Sequence, residues 1–165
     1  MADSFSIQTL PNAKSERYVS LLAEIDAVLE GEENRVARMA TVTAMLAAAF
    51  ESFFWTGFYV VDPHRPNELV IGPYQGTLGC LRIALGRGVC GAAALTRQTV
   101  VVADVEAFPD HIACDSRSRS EIVVPVFDAK GELIAVLDID STELATFNHD
   151  DKVGLEAIVR NAFAN

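Results

Sequence analysis

The run from Ser120 to Asp140, SEIVVPVFDAKGELIAVLDID, constrains the fold more than any other part of the chain. Two stretches rich in β-branched residues flank the four residues Asp128-Ala129-Lys130-Gly131. Branched side chains suit the pleated surface of a sheet, and Asp and Gly suit turns. A parallel crossover needs about a dozen residues or more, so four residues can only reverse the chain. The segment predicts an antiparallel hairpin, with strands over 120–127 and 132–140. A second hairpin is predicted from Phe53–Asp62 (FFWTGFYVVD), a turn cluster over 63–67, and a strand from Glu68 to about Pro73. Shorter strands are expected at Cys80–Ala84 and Thr99–Val105.

Helical periodicity brackets these strands. Tyr18, Leu21, Leu22, Ile25, Val28 and Leu29 form one stripe over 15–30, with Gly31 as the stop. Asn34 is placed to cap a second helix to about Phe50, with Val36, Met39, Val42, Leu46 and Phe50 inward. A small-residue helix is expected over 86–98, carrying Cys90. Asn148 is expected to cap a last helix through Ala164, with Leu155, Ile158, Val159, Ala162 and Phe163 inward. The first two helices are expected to pack together on the sheet, with the terminal helices covering one face. The order predicts an α+β fold, one domain over 1–165, with an antiparallel sheet and helices packed on its faces.

Half of the 165 residues are hydrophobic, which supplies a core for a domain of this size. The formal charge of −10 disfavours nucleic acid and anionic membranes as partners. No apolar run reaches the roughly 18 residues of a membrane span, and the N-terminus has no signal-peptide pattern, so a cytoplasmic protein is expected.

Chemistry concentrates on three cysteines, Cys80, Cys90 and Cys114. No CxxC is present, which disfavours a zinc ribbon or a thioredoxin-like pair, and no metal site is expected. Cys114 lies in the polar stretch FPDHIACDSRSRSEI, residues 108–122, where a thiol is accessible and its ionisation can be tuned. The three thiols are either unrelated or a nucleophile with resolving partners. Asp138 and Asp140 share one strand face; they are either strand-end charges or part of a binding set. Trp55 lies in an aromatic run, FFWTGFY, that reads as core packing ahead of a pocket wall. Arg117 and Arg119 are loop arginines that either face solvent or supply charge to Cys114. His111, three residues before Cys114, reads as a structural loop histidine.

The motifs WTGFYVV from Trp55, GPYQGTLGCLRIALGRGVCG over 72–91, HIACDSRSRSEIVVPV over 111–126 and GELIAVLDIDS over 131–141 resemble one enzymatic branch of the GAF domains, the free methionine-(R)-sulfoxide reductases. The resemblance covers nearly the whole chain. It implies reduction of free L-methionine (R)-S-oxide without a cofactor, with Cys114 as nucleophile and Cys80 as the resolving cysteine that closes an intramolecular disulfide. Cys90 would be a third, alternative resolver, and thioredoxin the electron donor. Glu121, Asp138 and Asp140 would grip the α-ammonium and hold a proton for the sulfoxide oxygen. Trp55 would wall the S-methyl group, with Tyr74 lining the same pocket. Relatives are often dimers, which implies a homodimer as an option. Thr77 stands where the family commonly has lysine, and Gly79 where it has alanine. Two other readings are a GAF module that senses a small ligand and a thiol redox sensor.

Overall fold

The structure is a computed structural model and describes residues 10–165. Helices α1 (Lys14–Val28) and α2 (Arg35–Ala49) precede strands β1 (Trp55–Asp62), β2 (Arg65–Gln75) and β3 (Arg82–Ala84). Helix α3 (Gly88–Thr96), strand β4 (Val100–Val102), a short 3-10 turn at Val105–Ala107, strands β5 (Ser120–Phe127) and β6 (Leu133–Ser141), and helix α4 (His149–Phe163) follow. The six strands form one sheet in the order β3-β2-β1-β6-β5-β4, and every neighbouring pair is antiparallel. The fold is the expected α+β class.

Period-two alternation divides the sheet into two different faces. Phe58, Ile122, Val124, Val126, Ala135, Leu137 and Ile139 turn to one side, where α1, α2 and α4 cover them in the larger core. Tyr59, Val123 and Val136 turn to the other side, with Trp55 and with Val89, Cys90, Ala93 and Ala94 of α3. The helices therefore lie on both faces, three on one and α3 alone on the other. The small-residue helix brings its backbone close to the strands: a Cβ at Gly91 would lie 2.4 Å from the Ala84 carbonyl oxygen.

Helix α1 seats mainly on α4 rather than on α2. The Tyr18 hydroxyl donates to Asp151 at 2.7 Å, and Lys14 pairs with the same carboxylate at 2.8 Å. Asp151 also closes a capping box with Asn148 at the start of α4. Asn34 caps α2 by accepting from the Ala37 amide.

Several boundaries differ from the sequence reading. Val28 and Val36 are 51% and 64% exposed, so both face outward, while Leu29 beside Val28 is buried. Gly31 takes a positive φ of 76°, but α1 has already ended at Val28 with Leu29 as its C-cap. β1 begins at Trp55 rather than Phe53, and β2 runs on to Gln75, because its tail pairs with the start of β1. β3 begins only at Arg82, so Cys80 lies in the irregular segment that leads into it.

Candidate active site

The site forms on the α3 side of the sheet, and strand register assembles its floor. Asp140 of β6 lies opposite Trp55 of β1 and opposite Glu121 of β5. Asp138 lies opposite Gly57 and Val123. Directly opposed residues share a face, so Trp55, Glu121, Asp138 and Asp140 converge on one patch. Helix α3 closes over it and brings the Cys90 thiol beside Asp138 and Glu121. The ligating atoms of Cys90, Glu121 and Asp138 all lie within 4.8 Å of one another.

Glu121 and Asp138 are 5% and 6% exposed. Burial pushes the carboxyl groups of Glu121, Asp138 and Asp140 well above the usual carboxylate range, and each is raised further by repulsion from a neighbouring acid. Burial and the same acids push the Cys90 thiol upward. Ser118 donates its hydroxyl to Asp140. One oxygen of Asp138, Oδ1, is buried and has no hydrogen-bond partner. His111 Nε2 stands 3.4 Å from Glu121 Oε2, and burial pushes the imidazole pKa down, favouring the neutral ring.

Above this floor is a cavity walled by Trp55, Tyr59, Ile83, Val89 and Ile112, with the carboxylates and Cys90 at its base and Cys114 at its mouth. Trp55 is held by its indole N–H, which donates to the Thr77 carbonyl at 2.8 Å. Gly57 lets the ring lie flat over the strand, since a Cβ there would come within 2.4 Å of the ring. Tyr74 stacks on Trp55 with ring centroids 5.3 Å apart; it supports the tryptophan and does not line the cavity.

The polar stretch around Cys114 is a loop between β4 and β5, as expected. Cys114 is exposed and joined by a disulfide to Cys80, with Cα atoms 5.3 Å apart, while Cys90 is a buried free thiol. A polar clasp accompanies the disulfide. Asp115 accepts two N–H groups of the Arg117 guanidinium, from Nε at 3.0 Å and Nη2 at 2.8 Å, and the Thr77 hydroxyl at 2.8 Å. Arg117 also lies over the Phe54 ring, 4.9 Å from its centroid. Arg117 is thus committed to Asp115, and Arg119 is exposed.

The structure therefore gathers Cys114, Cys80, Cys90, Trp55, Glu121, Asp138 and Asp140 in and around one cavity and puts Tyr74 behind it. Sequence reasoning did not single out Tyr59 or Ser118. Tyr59 had a signal, since 55, 57 and 59 share a strand face; Ser118 had none.

A model of the GAF domain matches residues 33–162. GAF domain-containing protein A of Dictyostelium discoideum is 47% identical over 97% of this chain and 98% of its own length. The free methionine-R-sulfoxide reductase of Escherichia coli is 41% identical over 88% of this chain and 86% of its own length. The chain belongs to the free methionine-R-sulfoxide reductase family of GAF-domain proteins. Among solved structures, the reductase of this family from Neisseria meningitidis in complex with its substrate superposes with a TM-score of 0.90 at 46% identity, covering 98% of this chain and 93% of that one. The reduced form of the Staphylococcus aureus member gives 0.84 at 42% identity, over 88% and 92%.

Proposed function

We propose that this chain reduces free L-methionine (R)-S-oxide to L-methionine with two of its own thiols. The observation that carries the reading is the Cys80–Cys114 disulfide at the mouth of a cavity floored by three carboxylates. The substrate's α-ammonium enters first and sits among Glu121, Asp138 and Asp140. A peptide-bound methionine has no free α-amine and does not fit this floor. The S-methyl group rests against Trp55, and the sulfoxide sulfur faces Cys114.

The Cys114 thiolate attacks the sulfoxide sulfur, and a carboxyl group kept protonated by burial and by its neighbours delivers a proton to the oxygen. The oxygen passes to Cys114 as sulfenic acid, and methionine leaves reduced. The Cys80 thiolate then attacks the Cys114 sulfur, and a second proton carries the oxygen away as water. A dithiol reductant of the thioredoxin class reopens the disulfide by exchange, as the cytoplasm would supply. The substrate ammonium also neutralises acids near Cys114, which favours its thiolate when the site is occupied. Cys114 in the cavity lining supports its role as nucleophile. Burial of Cys90, 3% exposed and beside Asp138 and Glu121, favours a part in the binding floor over a part as resolver.

The deciding experiment is thioredoxin-dependent NADPH consumption with racemic free methionine sulfoxide. Turnover that stops at half the substrate is the expected result. Methionine binding without turnover indicates a ligand sensor, and disulfide formation driven by peroxide alone indicates a redox sensor; either outcome overturns the proposal.

A further inference from the structure

We propose that the buried Cys90–Glu121–Asp138 cluster is a binding site for a zinc-class divalent cation. The three groups come from different elements, α3, β5 and β6, and their ligating atoms lie within 4.8 Å of one another. Around a tetrahedral zinc ion, with bonds of about 2.0–2.3 Å, ligand atoms stand roughly 3.3–3.8 Å apart, so small rotations of these side chains close on an ion. Asp138 supplies an independent pointer. It is 6% exposed, it borders the cavity, and its Oδ1 has no partner. An orphaned buried carboxylate oxygen is costly unless something arrives to pair it.

The donor set also selects the ion. One thiolate with two carboxylates suits zinc or cobalt(II) far better than magnesium or calcium, which take oxygen ligands alone. Three protein ligands facing a cavity leave a fourth position open to water. Binding displaces the protons of the thiol and of any protonated carboxyl, so affinity rises with pH. The ion and an amino-acid ammonium would occupy the same charge, so the metal would inhibit by competition. That last consequence rests on the function proposed above; the binding itself does not.

Cobalt(II) titration of the disulfide form tests the site, because Cys90 is then its free thiol. The expected result is a thiolate-to-cobalt charge-transfer band, displaced by zinc. The band disappears in Cys90→Ser, and affinity falls by about 10–100-fold or more in Asp138→Asn, since even outer-shell changes cost that much. The Cys80→Ser/Cys114→Ser double variant, with an unlinked mouth and Cys90 intact, should show the same band. No thiolate band in either form, or a band that survives Cys90→Ser, overturns the proposal and marks the binding as adventitious. Should Cys90→Ser not fold, unchanged affinity in Asp138→Asn overturns it equally. Methionine sulfoxide should weaken cobalt binding. A metal that binds normally but ignores the sulfoxide would leave this site standing and count against the ammonium pocket instead.

Discussion

Cys80 and Cys114 are 34 positions apart in sequence, yet their Cα atoms are 5.3 Å apart and their sulfurs are bonded. Neither lies in a regular element, so each can approach and retreat without disturbing the sheet. Cys90 is rooted in α3 and buried. We expect Cys114→Ser to abolish activity. Cys80→Ser should complete about one turnover and then stall with Cys114 oxidised, because a buried Cys90 cannot reach it. Mass mapping after a single turnover checks this; a Cys90–Cys114 bridge in the Cys80 variant would count against it.

The carboxylate floor gives the second prediction. Glu121→Gln and Asp140→Asn each remove an ionisable carboxyl, and the two groups lie opposite each other across β5 and β6. Loss of ammonium binding raises KM in both. The variant that also loses the proton donor should drop in kcat by about 10²–10⁴-fold, the usual weight of general acid catalysis. Steady-state kinetics on the single variants separates the two roles. Unchanged kcat/KM in both would remove the floor from the mechanism.

Much of this site was legible before the fold. The β-branched runs around Asp128–Gly131 fixed a hairpin, and period two put Asp138 and Asp140 on one face. The position of Cys114 in a polar stretch marked it as a loop thiol. What sequence could not show was register. That Glu121 opposes Asp140, and Trp55 opposes the same residue from the other side, depends on pairings between strands far apart in the chain. Ser118 reaches Asp140 for the same reason. Helix α3 was recognised as a helix, but its small, nearly all-apolar face carries little periodicity, so the side of the sheet it covers was not readable. Tyr74 was misplaced by one ring: the strand expected to stop near Pro73 carries it, and it stacks on Trp55 without lining the cavity.

Trp55 is the chain's single tryptophan, which makes it a direct reporter. Trp55→Phe keeps an aromatic wall but loses the hydrogen bond to the Thr77 carbonyl. Sulfur–aromatic contacts contribute about 0.3–1.5 kcal/mol, so KM should rise by roughly 2–10-fold with kcat less affected. In the unaltered protein, adding methionine should shift the tryptophan emission, and an emission blind to saturating methionine would place the thioether elsewhere.

Stability should respond most sharply on the opposite face. A Cβ at Gly154 would lie 2.2–2.6 Å from three carbons of the Tyr18 ring. Tyr18 cannot step aside, because its hydroxyl is held by Asp151 and its ring lies 4.8 Å from Phe50. Overpacking of this kind costs about 1–3 kcal/mol, and the helix propensity of alanine returns less than about 1. Gly154→Ala should therefore lower Tm by a few degrees, roughly 2–4 °C per kcal/mol for a chain of this size. Thermal unfolding checks it, and activity at low temperature should be unchanged because the site is on the other side of the sheet.

Asp115 gives the last prediction. It follows Cys114 directly and accepts the hydroxyl of Thr77, three residues before Cys80, so it ties together the two segments that must meet to form the disulfide. Arg117 holds its carboxyl well below the usual carboxylate range. A depressed folded-state pKa stabilises above the unfolded value, about 3.9, and that stabilisation is lost as pH falls through the lower folded value. The clasp should thus be intact throughout the neutral range and open only in acid. Asp115→Asn should weaken it at every pH. Attack on substrate, which needs no second thiol, should continue, while closure of the disulfide slows. Trapping the sulfenic acid with a carbon nucleophile during a single turnover measures the balance: the variant should yield more trapped Cys114 than the unaltered protein near neutral pH, and equal yields would show that the clasp does not guide Cys80 to its partner.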